Sequence, residues 1–83
     1  MNVTLADLKP GALVRISSIQ AQDPSVQRLM IMGLVEGAEL EYLRASLGGD
    51  PLEFRVYGTA ISLRQEQARA FEVEEITANV DTG

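Results

Sequence analysis

Cysteine, histidine and tryptophan are all missing from this 83-residue chain, and lysine occurs once, at Lys9. Without cysteine there is no disulfide, no thiolate nucleophile and no soft metal ligand. Without histidine, the chain also lacks the side chain that most often moves protons near neutral pH and most often binds transition metals. A metal site would need oxygen ligands alone, which suit hard ions better than tightly held zinc or iron. The same absences weigh heavily against a hydrolytic triad or a redox role. A Ser–Lys pair could draw only on Lys9, beside Pro10 and Gly11 in an expected turn. The chain reads as a non-enzyme that carries no cofactor and no dedicated metal centre.

Long apolar runs are missing too. No stretch approaches the ~20 residues that cross a bilayer. The start, Met1-Asn2-Val3-Thr4-Leu5-Ala6-Asp7, lacks the basic residues and apolar stretch of a signal peptide. A cytoplasmic protein with no membrane insertion is expected. Positive charge is scarce, with a net charge of −5 and arginines scattered at 15, 28, 44, 55, 64 and 69. Counterion release from nucleic acid needs clustered cations, so nucleic-acid binding is not expected. The same acidity disfavours anionic lipid. With two Tyr and two Phe, the chain is also too poor in aromatics for a groove that takes proline-rich peptides. A protein partner is the remaining expectation, and weak self-association stays open.

What is present suits one small domain, with 46% apolar and 23% charged residues. We assign residues 1–76 to it and residues 77–83, poor in apolar side chains, to a loose tail. Residues 4–8 suit one helical turn, with Leu5 and Leu8 on one side. Leu13 to Ile19 alternates as a strand, Val14 and Ile16 opposing Leu13, Arg15 and Ser17. Asp23 and Pro24 open a helix as cap and first residue, and Val26, Leu29 and Met30 form its apolar stripe. Gly33, just past that helix, suits the left-handed stop, which folds Leu34 back onto Leu29.

Gly37 then launches a second strand over residues 38–45, where adjacent Tyr42 and Leu43 suggest either a bulge or burial on both faces near the strand's end. A third strand turns Leu52, Phe54 and Val56 inward and Glu53, Arg55 and Tyr57 outward, and Gly58-Thr59 is read as the hairpin turn. Residues 60–64 form strand four, 65–69 a helical turn and 70–75 strand five, with Phe71 and Val73 inward. Each strand has one apolar face, so the sheet must curl to hide it. An SH3-like small barrel of about five strands, mainly β with one or two short helices, is the economical solution. The rival, an OB-like barrel, usually needs longer strands.

Four segments in register carry a resemblance. Leu29-Met30-x-Met32-Gly33-Leu34-x-x-Gly37 resembles the L-M-x-M-G-L-x-x-G signature of the ferrous iron transport protein A (FeoA) family. Leu5-x-x-Leu8-x-x-Gly11, the loop Leu47-Gly48-Gly49-Asp50-Pro51 and Gly58-x-x-Ile61-Ser62-Leu63-Arg64 follow in the family's order and spacing. The resemblance covers roughly residues 5–76. It implies an SH3-like cytoplasmic accessory of the membrane ferrous-iron transporter, ferrous iron transport protein B, acting by protein contact at the side that carries a G domain. The same domain ends iron-dependent repressors of the diphtheria toxin repressor type, so a repressor-type interaction module, or a peptide-binding barrel unrelated to transport, is the alternative.

Six residues are candidates for partner contact: Arg28, Ile31, Met32, Leu43, Tyr57 and Arg64. Ile31 lies about 160° around the helix from Leu29, off the apolar stripe, and Met32 lies at its border. Arg64 ends an apolar strand. It can pair with a carboxylate such as Glu66, or reach a partner's G domain as an arginine finger. Glu39, Glu41, Glu72, Glu74 and Glu75 fall on strands where they could gather a cation, unless arginine or solvent neutralises them. The Gly48-Gly49-Asp50-Pro51 loop has no Lys-Ser/Thr and opens no helix, so it reads as backbone geometry rather than a phosphate cradle.

Overall fold

Period-two alternation over five short segments produces one antiparallel sheet in the computed structural model, which describes residues 3–76. The strands are β1 (Leu13–Ile19), β2 (Glu39–Ala45), β3 (Leu52–Val56), β4 (Thr59–Leu63) and β5 (Phe71–Glu75). They stand in the order β4-β3-β2-β1-β5. Helix α1 (Pro24–Ile31) links β1 to β2, and the short α2 (Gln65–Ala68) links β4 to β5. A single 3₁₀ turn occupies Leu5–Asp7, and Leu47–Gly49 forms a tight turn whose backbone leaves the helical region at Gly48, φ 84°. Residues 1–2 and the proposed tail at 77–83 lie outside the described residues.

Each strand sends one face into a common core. Val14 and Ile16, Leu40 and Tyr42, Leu52, Phe54 and Val56, Leu63, and Phe71 and Val73 form one buried cluster, which Leu5, Val26, Leu29, Leu34 and Ala68 join. Two register shifts bend the sheet. One lies between Ile16 and Ser18 where β1 meets β5, the other between Tyr42 and Arg44 where β2 meets β3. An extra residue in one strand raises local twist and bends it, which lets a five-stranded sheet wrap around its own apolar face. Leu43 is the extra residue in β2. It is half-buried, and the register shift decides for a bulge between the two alternatives that adjacent Tyr42 and Leu43 leave open.

Most expected boundaries hold within a residue, and one of these single-residue shifts changes the place of a side chain. The β3–β4 hairpin closes on the pair Val56↔Thr59, so Tyr57 and Gly58 are the turn, not Gly58 and Thr59. Tyr57 is therefore no outward-facing strand residue. It is the one non-glycine residue at positive φ among those described, with φ 52° followed by 77° at Gly58. Positive φ at both central residues is the turn whose twist matches the strands it joins. Glycine at the second position signals this turn, whereas tyrosine at the first gives no local hint of it.

The N-terminal turn is tied by a reciprocal cap. The Thr4 N–H donates to Asp7 Oδ2 at 2.9 Å, and the Ala6 N–H donates to Thr4 Oγ1 at 3.2 Å. Asp23 caps α1 in the same spirit, its Oδ1 accepting from the Ser25 N–H at 2.8 Å. An eight-residue helix has little stability of its own. We therefore expect Asp23→Ala to lower the unfolding free energy by about 1 kcal/mol, read as a drop in urea midpoint at unchanged m-value.

Candidate docking surface

The end of α1 brings the candidate residues together. The Gly33 N–H bonds to Met30 O and the Leu34 N–H to Leu29 O, each at 3.0 Å. These are the two bonds of a glycine-terminated helix stop, with Leu34 folded back and fully buried. The segment is then pinned to the sheet, because the Gly37 N–H donates to Ile16 O at 2.8 Å and the Ile16 N–H to Ala38 O at 2.9 Å. With Val26 and Leu29 turned inward, the helix has to show Ile31 and Met32 to solvent, at 86% and 60% exposure.

Tyr57 meets this helix stop from the other side. A Cβ placed on Gly33 would lie 3.0 Å from Tyr57 Cε2, so the ring rests against the bare glycine backbone. Tyr57 as a residue is nonetheless 72% exposed. Arg28 sits in the last turn of α1, where a cation complements the helix dipole. Arg28, Ile31 and Met32 thus share the C-terminal end of α1, and Tyr57 rests on the glycine that stops it. Beside Tyr57 opens a cleft of about 260 Å³, floored by Leu13, Leu40 and Ile76 and edged by Glu39, Glu41 and Arg55. Alternation places Leu13 on the outer face of β1, but nothing in its own segment shows that Tyr57 and Ile76 converge on it.

Leu43 and Arg64 do not join the group. The register Ala45↔Leu52↔Leu63 puts both toward the 47–51 loop, away from the Tyr57 turn. Arg64 does approach a carboxylate, but that of Asp50 at 3.8 Å and not that of Glu66, its neighbour in sequence. That loop has a structural task. Asp50 Oδ1 accepts from the Gln65 N–H at 3.0 Å, and Gln65 Nε2 donates to Gly49 O at 2.6 Å, so the loop caps α2 from outside. Asp50→Ala is expected to cost about 1 kcal/mol, measurable as faster amide exchange at Gln65.

The carboxylates of the outer face are interleaved with arginine. Arg15 pairs with Glu39 at 3.0 Å and Arg55 with Glu41 at 2.9 Å, while Arg44 pairs with Glu53. Exposed pairs of this kind contribute about 0–1 kcal/mol each and serve mainly to relieve like-charge repulsion. Among the described residues, no three acidic side chains gather in a way that could hold a metal ion. No helix of the described residues is long and apolar enough to cross a membrane.

The family model for the FeoA domain matches residues 3–75. A curated relative from Porphyromonas gingivalis, an Fe(2+) transport protein A/Fe(2+) transporter FeoB fusion protein, is 29% identical over 75 residues. That match takes in 90% of this chain but only 9% of the fusion protein's length. The solution structure of a FeoA protein from Chlorobium tepidum superposes with a TM-score of 0.84 at 32% identity, covering 94% of this chain and 74% of that one. A zinc complex of FeoA from Stenotrophomonas maltophilia, a prokaryotic SH3 domain protein, gives 0.77 at 30% identity, covering 87% and 89%. A manganese-dependent transcriptional repressor, at 17% identity, shares the fold alone. The signature around Gly33, the SH3-like sheet and the family match over residues 3–75 agree: the chain belongs to the FeoA domain family, small accessory domains linked to ferrous-iron transport and not a known family of enzymes.

Proposed function

We propose that this domain assists ferrous-iron uptake by docking on the cytoplasmic part of the membrane ferrous-iron transporter, at the side that carries its G domain. The observation that carries the reading is the fusion relative, in which a transport protein A segment and a transporter share one polypeptide. Covalent linkage holds two domains at high effective concentration, an arrangement that serves direct contact between them. On this chain we assign the contact to Ile31, Met32 and Tyr57, with Arg28 at the rim. Aromatic and methionine anchors bordered by arginine are the composition from which interfaces draw most of their energy. Leu43 and Arg64 stand apart from that surface, and we place neither in it.

Tyr57→Asn is the informative variant. Asparagine suits the left-handed turn position, so the hairpin is kept while the ring is removed. Titration of the transporter's isolated G domain, with and without guanine nucleotide, is expected to show affinity reduced at least tenfold, about 1.4 kcal/mol, at an unchanged melting temperature. Arg64→Ala is expected to leave both binding and nucleotide hydrolysis unaltered. If the parent fails to bind in either nucleotide state, the reading is withdrawn. A loss of stimulated hydrolysis in Arg64→Ala would instead restore the arginine-finger role.

A further inference from the structure

The two edges of the sheet differ in protection. Along β5, the Val73 N–H donates to Val3 O at 2.8 Å and Thr4 bridges Glu72, so the N-terminal segment covers this edge. The strand itself, Phe71-Glu72-Val73-Glu74-Glu75, is rich in carboxylates. Covering and charge both discourage pairing with another chain. β4 has neither. Because Val56↔Thr59 closes a two-residue hairpin, Thr59, Ile61 and Leu63 direct their backbone groups to β3. Ala60 and Ser62 direct theirs outward, and both residues are exposed. Among the described residues, no strand pairs with that side. Between Arg55 and Arg64 there is no charged residue and no proline.

From this contrast we propose that β4 is a self-association edge, where two copies of the chain pair antiparallel about a two-fold axis. The outward groups dictate the register. Ile61 faces Ile61 of the second copy as a non-hydrogen-bonded pair. Ala60 faces Ser62 of the second copy, and Ser62 its Ala60, each pair exchanging both N–H···O bonds. No like charges oppose one another in that register, since Thr59–Leu63 carries none. Head-to-tail growth of β4 onto β5 is blocked by residues 3–4, which leaves the closed two-fold pair. With so few residues on each side, the contact is small and transient.

Sedimentation equilibrium of the full chain from about 10 μM to about 1 mM, the span in which so small a contact titrates, is expected to show reversible dimerisation. The amide resonances of Ala60 and Ser62 should shift with concentration, while those of Thr59 and Ile61 move less. Ser62→Pro removes an N–H aimed at the free edge without removing a bond to β3. Ala60→Lys places a charge on the edge. Each is expected to weaken dimerisation at least tenfold at an unchanged circular dichroism spectrum, and Ala60→Lys decides the matter if Ser62→Pro fails to fold. A parent that stays monomeric throughout overturns the proposal, as does undiminished dimerisation of Ala60→Lys. It is also overturned if the Ala60 and Ser62 amides respond only to added transporter G domain, because the edge would then belong to a foreign strand.

Discussion

Phe54→Ala is expected to destabilise the domain by about 3–5 kcal/mol, the usual cost of emptying a buried phenylalanine site. Phe54 is fully buried at the middle of β3. It pairs in register with Tyr42 on β2 and Ile61 on β4, and its ring centroid lies 5.2 Å from that of Tyr42. Truncation thus removes the contact that ties three neighbouring strands to one side chain. The curled sheet resists collapse into the hole, because its bend is set by bulges in the backbone and not by the size of one ring. A domain this small has roughly 4–12 kcal/mol of stability in all. The alanine variant should therefore be largely unfolded in modest urea, whereas Phe54→Leu, which leaves a smaller void, should keep a cooperative transition at a lower midpoint. A Phe54→Ala protein with the parental urea midpoint would show that the ring does not hold the core.

Gly33→Ala carries the second large effect, about 1–3 kcal/mol. Its φ of +119° is a backbone conformation that an L side chain enters only under strain. The new Cβ would also press on the Tyr57 ring at 3.0 Å. The two costs separate in a double-mutant cycle. Removing the ring in Gly33→Ala/Tyr57→Ala relieves only the contact, and an exposed ring can swing aside, so the coupling should stay below about 1 kcal/mol. The larger, uncoupled part belongs to the backbone. Chemical denaturation of the four proteins measures it, and a coupling equal to the whole effect would assign the glycine's role to the tyrosine alone. Gly33→Val should be worse than alanine, since β-branching narrows the conformations open to the residue further.

What could be read from the chain is what depends on neighbours in sequence. The cap at Asp23, the stop at Gly33 and the alternation of Leu52, Phe54 and Val56 are local, and each element forms where its own residues direct it. The outlying position of Ile31 follows from helical geometry alone, and the exposed side chain is its outcome. What escaped depends on pairing at a distance. Asp50 reaches Arg64 and the start of α2 only because β3 and β4 pair Leu52 with Leu63. Leu13, Tyr57 and Ile76 share a cleft only because β1 lies between β2 and β5. Tyr57 is the sharpest case. Tyrosine favours strands, and its place in the turn is decided by the strand register on either side of it.

The bonds from Gly37 and Ala38 to Ile16 have a thermodynamic consequence for whatever lands on the end of α1. They fasten the loop after the helix to a buried residue of β1, so the backbone beneath Met32 and Tyr57 is already ordered before any encounter. A partner would then have to immobilise side chains only, at roughly 0.5–1.5 kcal/mol each. That toll falls unevenly. Tyr57, with two torsions and a ring propped on glycine, surrenders little freedom, whereas Met32 surrenders three torsions. Ring and thioether offer comparable apolar area, yet the ring should return more affinity for each square ångström covered.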